Sequence, residues 1–115
     1  MDIRRRDIYW ADLDPVVGNE QGKMRPVLIV QNDMGNRYSG CTIIVPLTTS
    51  TTKANLPTHV TITKWSDDGK YYRETFLCEH IRTIDKSRLR EYYYHLDDET
   101  MEEVDKALAI SIGLV

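Results

Sequence analysis

The 115-residue chain is predicted to be mainly β, a small and strongly bent sheet or partly open barrel, with one α-helix at its C-terminal end. Short alternating or apolar runs rich in Ile, Val, Tyr and Trp recur between loops marked by Gly and Pro. The clearest helical periodicity comes last. Hydrophobic residues make up 41% of the chain and charged ones 29%, which supports a packed core rather than disorder. The length suits a single domain over residues 1–115 and is too short for two.

RDIYWADLD alternates and is predicted as the first strand, and PVVGNEQG, with its proline and two glycines, as a loop. RPVLIVQN is the second strand. Val27 to Val30 are apolar without alternation, as in a strand covered on both faces. Pro26 stands at its start, where a missing N–H does least harm. DMGNRYSG reads as a polar loop and CTIIVPL as the third strand, with Pro46 marking a bulge or an edge. TTSTTKANLP is a hydroxyl-rich loop. THVTIT alternates as a fourth strand, SDDGK is a turn, ETFLCEHIRTI supplies one or two more strands, and DKSRL a helical turn. Strand alternation sends the tyrosines of REYYYHL to opposite faces, for core and dimer packing.

LDDETMEEVDKALAISIG places Met101, Val104, Leu108 and Ile112 at helical spacing. Asp97 suits the N-cap, with Leu96 and Met101 as a hydrophobic staple. Acids in the first turn match the helix dipole, and Gly113 suits the stop. This amphipathic helix should lie on the sheet.

No apolar run is long enough to span a membrane, and the arginines of MDIRRRDIYW are not followed by the apolar stretch of a signal peptide. A cytoplasmic location is expected. Cys41 and Cys78 lack metal-ligand neighbours at a familiar spacing and are expected as reduced thiols in strands. Arg4–Arg6 read as a solvated strand start, His59 as a surface or dimer-facing residue, and His95 as structural. The net charge is −3, yet residues 97–105 hold six acids and no Lys or Arg. Outside that segment 15 basic residues face 12 acidic ones, so a basic face for nucleic acid is permitted.

RRDIYWADLDPVVGNEQGKMRPVLIVQND, continued by VPLTTS, LPTHV, EHIRTIDKSRL and HLDDETMEEVDKALAISIGL, resembles the MazF/PemK family of toxins over essentially the whole chain. The resemblance implies an SH3-like small barrel of the MazF/CcdB toxin type with a C-terminal α-helix. It implies a sequence-specific, metal-independent endoribonuclease, the toxin component of a type II toxin–antitoxin system, needing no cofactor. The substrate would be single-stranded mRNA. The chain would act as a homodimer, away from membranes, and a MazE-like antitoxin would block it with an extended segment. Catalytic roles fall on Arg25 and Thr48, and RNA contacts on Asn19, Glu20, Gln21, Asn32, Thr49 and His80. At His80 the chain departs from many relatives, which carry Gln. Unlike Gln, histidine changes charge near neutrality.

Cutting RNA through its own 2′-hydroxyl needs a proton acceptor, neutralisation of charge on the phosphoryl oxygens, and a proton for the leaving 5′-oxygen. The Arg25 guanidinium is a fork of donors that fits a phosphate. Pro26 and the buried strand after it restrict its backbone, and the loop before it can shape itself around RNA. Thr48 adds a hydroxyl donor, a role that passes to Thr49 or Ser50 if the register shifts by one. A guanidinium is a poor base but can donate, which leaves Glu20 and His80 as further candidates for proton transfer. Two other readings fit the same fold: a CcdB-like gyrase-poisoning toxin, and a non-catalytic SH3-like interaction module.

Overall fold

The computed structural model describes residues 2–50 and 56–115. Its strands are β1 Asp7–Asp12, β2 Met24–Ile29, β3 Cys41–Thr48, β4 His59–Trp65, β5 Tyr71–Leu77, β6 Arg82–Asp85 and β7 Leu89–His95; its helices are α1 Asp33–Tyr38 and α2 Asp98–Ser111. Short 3-10 turns at Cys78–His80 and Lys86–Arg88 flank β6. The expected hydroxyl-rich loop falls partly on residues 51–55, outside the described residues.

The strands form one curled antiparallel sheet in the order β4-β5-β3-β2-β1-β7, with β6 also paired to β3. β3 is the pivot. Its residues Cys41 to Ile44 pair with β6, and Leu47 and Thr48 pair with β5. Pro46 falls between the two stretches and opposite Val27 of β2. It therefore marks an exchange of neighbours rather than an edge, a place where one ladder position is already vacant.

Strand alternation divides the core between two clusters. Ile8, Leu28, Val45, Leu47 and Phe76 join one, together with Met101, Val104 and Ala107 of α2. Tyr9, Ala11, Val27, Ile29 and Ile44 join the other. The unbroken apolar run of β2 is thus buried on both faces. Burying α2 follows the expected pattern for its first turns. Asp97 caps it by accepting from the Thr100 amide at 3.0 Å, and Leu96 and Met101 are both buried. Its last turn differs: Ala107 is buried, whereas Ile112 lies past the final helical residue and is exposed.

The segment read as a polar loop, DMGNRY, is the helix α1. A polar core holds it, which apolar periodicity does not reveal. Asn32 caps it, and the buried Asn36 donates to Gln31 O and accepts from Thr42 Oγ1 at 2.7 Å. Arg5 and Arg6 are likewise more than a solvated strand start. Arg5 pairs with Asp105 at 2.5 Å, while Arg6 pairs with Asp98 at 2.5 Å and donates to Leu96 O. Both tie the N-terminus to the start and side of α2.

A β-bulge changes the fate of the three tyrosines. Ile8 pairs with Tyr94 but Tyr9 with Tyr92, so Tyr93 is the extra residue. Strict alternation fails there, and both Tyr93 and Tyr94 reach β5. The Tyr93 and Tyr72 hydroxyls hydrogen-bond at 3.0 Å, and the Tyr94 hydroxyl donates to Glu74 Oε1 at 3.2 Å. His59, half-buried at the rim of a cavity beside α2, turns its side chain inward: that side chain is 4% exposed and its Nε2 lies 2.7 Å from Glu79. His95 bonds Asp7 at 2.7 Å. Cys41 lies in β3, while Cys78 lies in a 3-10 turn, where burial pushes its thiol up to about 12. Among the described residues, no helix is long and apolar enough to cross a membrane.

Candidate active site

A cavity of about 390 Å3 opens where β1, β2, β5, β7 and the end of β3 converge. Arg25 forms part of its wall. The β1 and β2 ladder pairs it with Ala11, and the loop before β2 supports it from below. Its Nε donates to Gly22 O at 2.8 Å and its Nη1 to Leu47 O at 3.4 Å. The remaining N–H groups are bonded to no described residue. Burial pushes the guanidinium below its ordinary value, and Asp14 opposes that shift. Its charge persists at neutral pH.

The loop between β1 and β2 is fixed at its base. Arg88 donates to the carbonyls of Asp12 and Asp14, and the Asp14 carboxylate accepts from the Lys23 amide at 2.8 Å. Gly22 sits inside this knot. A Cβ added there would lie 2.5 Å from Asp14 Oδ1 and 2.7 Å from Val16 Cγ2. The glycine thereby lets the loop fold tightly enough to present its carbonyl to Arg25.

Thr48 and Thr49 line the same cavity at the end of β3. Thr48 Oγ1 accepts from the Ser50 amide at 3.2 Å, which orients the hydroxyl and leaves its proton to donate. So Arg25, Thr48 and Thr49 come together. The other expected residues do not join them. Glu20, Gln21 and His80 line a second cavity of about 300 Å3 with Arg82. Glu20 closes its own loop by accepting from the Val17 amide at 2.6 Å. Asn19 is exposed on that loop and lines neither cavity, and Asn32 spends its side-chain oxygen on the α1 cap, at 2.8 Å from the Gly35 amide.

One wall residue escaped the sequence reading. Glu74 is 2% exposed yet lines the Arg25 cavity. Burial pushes its carboxyl above the usual range, while the Tyr94 hydroxyl and the Lys64 ammonium pull it back. Lys64 lies over the Tyr94 ring, 3.5 Å from its centroid. Glu74 shares strand parity with the buried Phe76. An acid at the inward parity of an apolar strand was the signal available, because burying a carboxyl is costly without a reason.

The model of the PemK-like, MazF-like toxin of type II toxin–antitoxin systems matches residues 4–112. A curated relative, "Endoribonuclease EndoA" of Bacillus subtilis, is 51% identical over 119 aligned residues, covering 100% of this chain and 98% of that protein. Among solved structures, "Endoribonuclease in complex with its cognate antitoxin from Mycobacterial species" is 27% identical with a TM-score of 0.76, covering 98% of this chain and 97% of that one. MazF from Deinococcus radiodurans superposes with a TM-score of 0.80 at 24% identity, over 98% of each chain, and supports the fold. The chain belongs to the PemK-like, MazF-like family of toxins of type II toxin–antitoxin systems.

Proposed function

We propose that the chain is the toxin endoribonuclease of a type II toxin–antitoxin pair, cutting single-stranded mRNA at a short specific sequence without a metal ion. The observation that carries this reading is a guanidinium anchored by two backbone carbonyls in a cavity it shares with a hydroxyl at hydrogen-bonding readiness. The 51% identical relative bears an endoribonuclease name, which favours this reading over a gyrase poison or a binding module.

The chemistry follows from that geometry. The free N–H groups of Arg25 bind the non-bridging oxygens of the scissile phosphate, and the Thr48 hydroxyl donates to one of them. Both contacts strengthen as negative charge grows on those oxygens, so they favour the transition state over bound RNA. The 2′-oxygen attacks, the bond to the 5′-oxygen breaks, and the products are a 2′,3′-cyclic or 3′-phosphate and a 5′-hydroxyl. The second cavity, with Gln21, Glu20 and His80, supplies contacts to flanking nucleotides. The chain acts as a homodimer in the cytoplasm, and a MazE-like antitoxin occludes the Arg25 cavity. A solved relative is titled as an endoribonuclease in complex with its cognate antitoxin, which supports such a partner.

The test is cleavage of a long RNA in EDTA with mapped ends, beside Arg25→Ala. Discrete cuts at one repeated sequence are expected, reduced on the order of 1,000-fold in the variant, as for loss of a transition-state donor. Wild-type rates from a folded Arg25→Ala protein would remove the assignment.

A further inference from the structure

We propose that Glu74 is the proton acceptor for the attacking 2′-hydroxyl. The inference rests on the reading of the Arg25 and Thr48 cavity as the cleavage site. That reading leaves the proton of the nucleophile unassigned, because Arg25 enters the reaction already protonated and Thr48 is a donor.

The geometry narrows the choice. The earlier candidates Glu20 and His80 line the other cavity. Of the residues lining the Arg25 cavity, Glu74 is the sole carboxyl; the other ionisable groups there are Lys23, Arg25, Tyr72 and Tyr93. The two tyrosines bond each other, and burial raises the Tyr93 hydroxyl further from neutrality.

The two oxygens of Glu74 have different surroundings. Oε1 accepts from the Tyr94 hydroxyl at 3.2 Å. Oε2 accepts from no described residue. Yet no buried side-chain oxygen among the described residues lacks a partner, so Oε2 is not sealed off. Glu74 lines the Arg25 cavity, and Oε2 is taken as the oxygen turned to it. One oxygen is held and the other is offered, which is the arrangement a positioned base requires.

Its electrostatic surroundings suit the task. Lys64 from β4 and the Tyr94 hydroxyl from β7 favour the carboxylate; Tyr93 from β7, Tyr72 of β5, Arg25 and Lys23 line the same cavity. Burial works against the charge and brings the group towards neutrality, where a base is most effective. The step balances without a co-reactant. The 2′-oxygen forms its bond to phosphorus and its proton passes to Glu74 Oε2. The bond from phosphorus to the 5′-oxygen breaks, and that oxygen takes a proton from Arg25. Proton return from Glu74 to Arg25 through solvent restores both groups.

The experiment is single-turnover cleavage in EDTA from pH 5 to 9 for the wild type, Glu74→Gln, Tyr94→Phe and Arg25→Ala, each checked for folding by its thermal melt. Glu74→Gln keeps the bond from Tyr94. It is expected to slow cleavage on the order of 100-fold and to abolish the rise of rate on the acidic limb. Tyr94→Phe removes a bond that favours the carboxylate, so it should move that limb to higher pH while activity survives. A merely structural role would not move the limb. Glu74→Gln cutting at the wild-type rate overturns the proposal, and so does a slow Glu74→Gln whose limb is unchanged. Arg25→Ala separates the two readings: if it too cuts normally, the cavity is not the cleavage site, whereas its loss beside an active Glu74→Gln removes only the base.

Discussion

Gly22 shows how a residue without a side chain can fix the placement of a charged one. Its carbonyl receives Arg25 Nε, and its missing Cβ makes room for the Asp14 carboxylate that braces the loop. In Gly22→Ala the new methyl would meet Asp14 and Val16, so the loop must shift and take the carbonyl with it. Cleavage should fall on the order of 10- to 100-fold, the usual scale for displacing a positioning contact by an ångström. The fold should survive, since Gly22 belongs to neither hydrophobic cluster. Gly40 provides the control: a Cβ there meets nothing within 4 Å, and Gly40→Ala should cut like the wild type. Cleavage by Gly22→Ala at the wild-type rate would show that Arg25 does not depend on this carbonyl. At this scale the motif singled out Arg25 and Thr48, and the fold does bring those two side chains to one cavity. The sequence was not legible for Glu74, whose meaning comes from Tyr94 and Lys64, both distant in sequence.

Elements were readable in proportion to their apolar content. The strands and α2 bury apolar side chains at regular spacing, and their order in the chain could be read from that spacing. The helix α1 could not, because Met34 and Tyr38 are exposed and its anchor is an asparagine bonded to Gln31 and Thr42. The bulge at Tyr93 was equally hidden, since it depends on register against β1. Capping was legible. The Thr100 amide and hydroxyl hold the Asp97 carboxyl below its usual range, and burial and Arg6 act less strongly on it. Its contribution is therefore present above about pH 4 and is lost as pH falls through the depressed value. Asp97→Ala should lower stability by about 1 kcal/mol in urea unfolding at pH 7. RNA cleavage should not change, because the helix start lines neither cavity. An equal loss of cleavage would mean that α2 positions the site.

The whole molecule brings these pieces together at the gap in its own barrel. The strand order ends at β4 and β7, and side chains rather than a ladder bring β7 to β5. The Tyr72–Tyr93 and Tyr94–Glu74 bonds, with Lys64 over Tyr94, close that gap, and the Arg25 cavity opens beside it. A buried acid is a poor choice for closing a seam if stability were the only demand, because its carboxylate loses hydration. The sign of the cost can be worked out. Burial raises the folded value of Glu74 above that of the unfolded chain. Between the two values the unfolded chain binds fewer protons, so Glu74 makes the fold less stable as pH rises through that window. Gln has no such titration. Urea unfolding of Glu74→Gln and the wild type at matched pH should therefore show the variant gaining relative stability from about pH 4 upward and levelling off above the folded value. A stability difference that stays flat across this range would show that Glu74 titrates alike in both states. The expected rise, set beside slower cleavage, would identify the buried charge as kept for reaction at the expense of the seam.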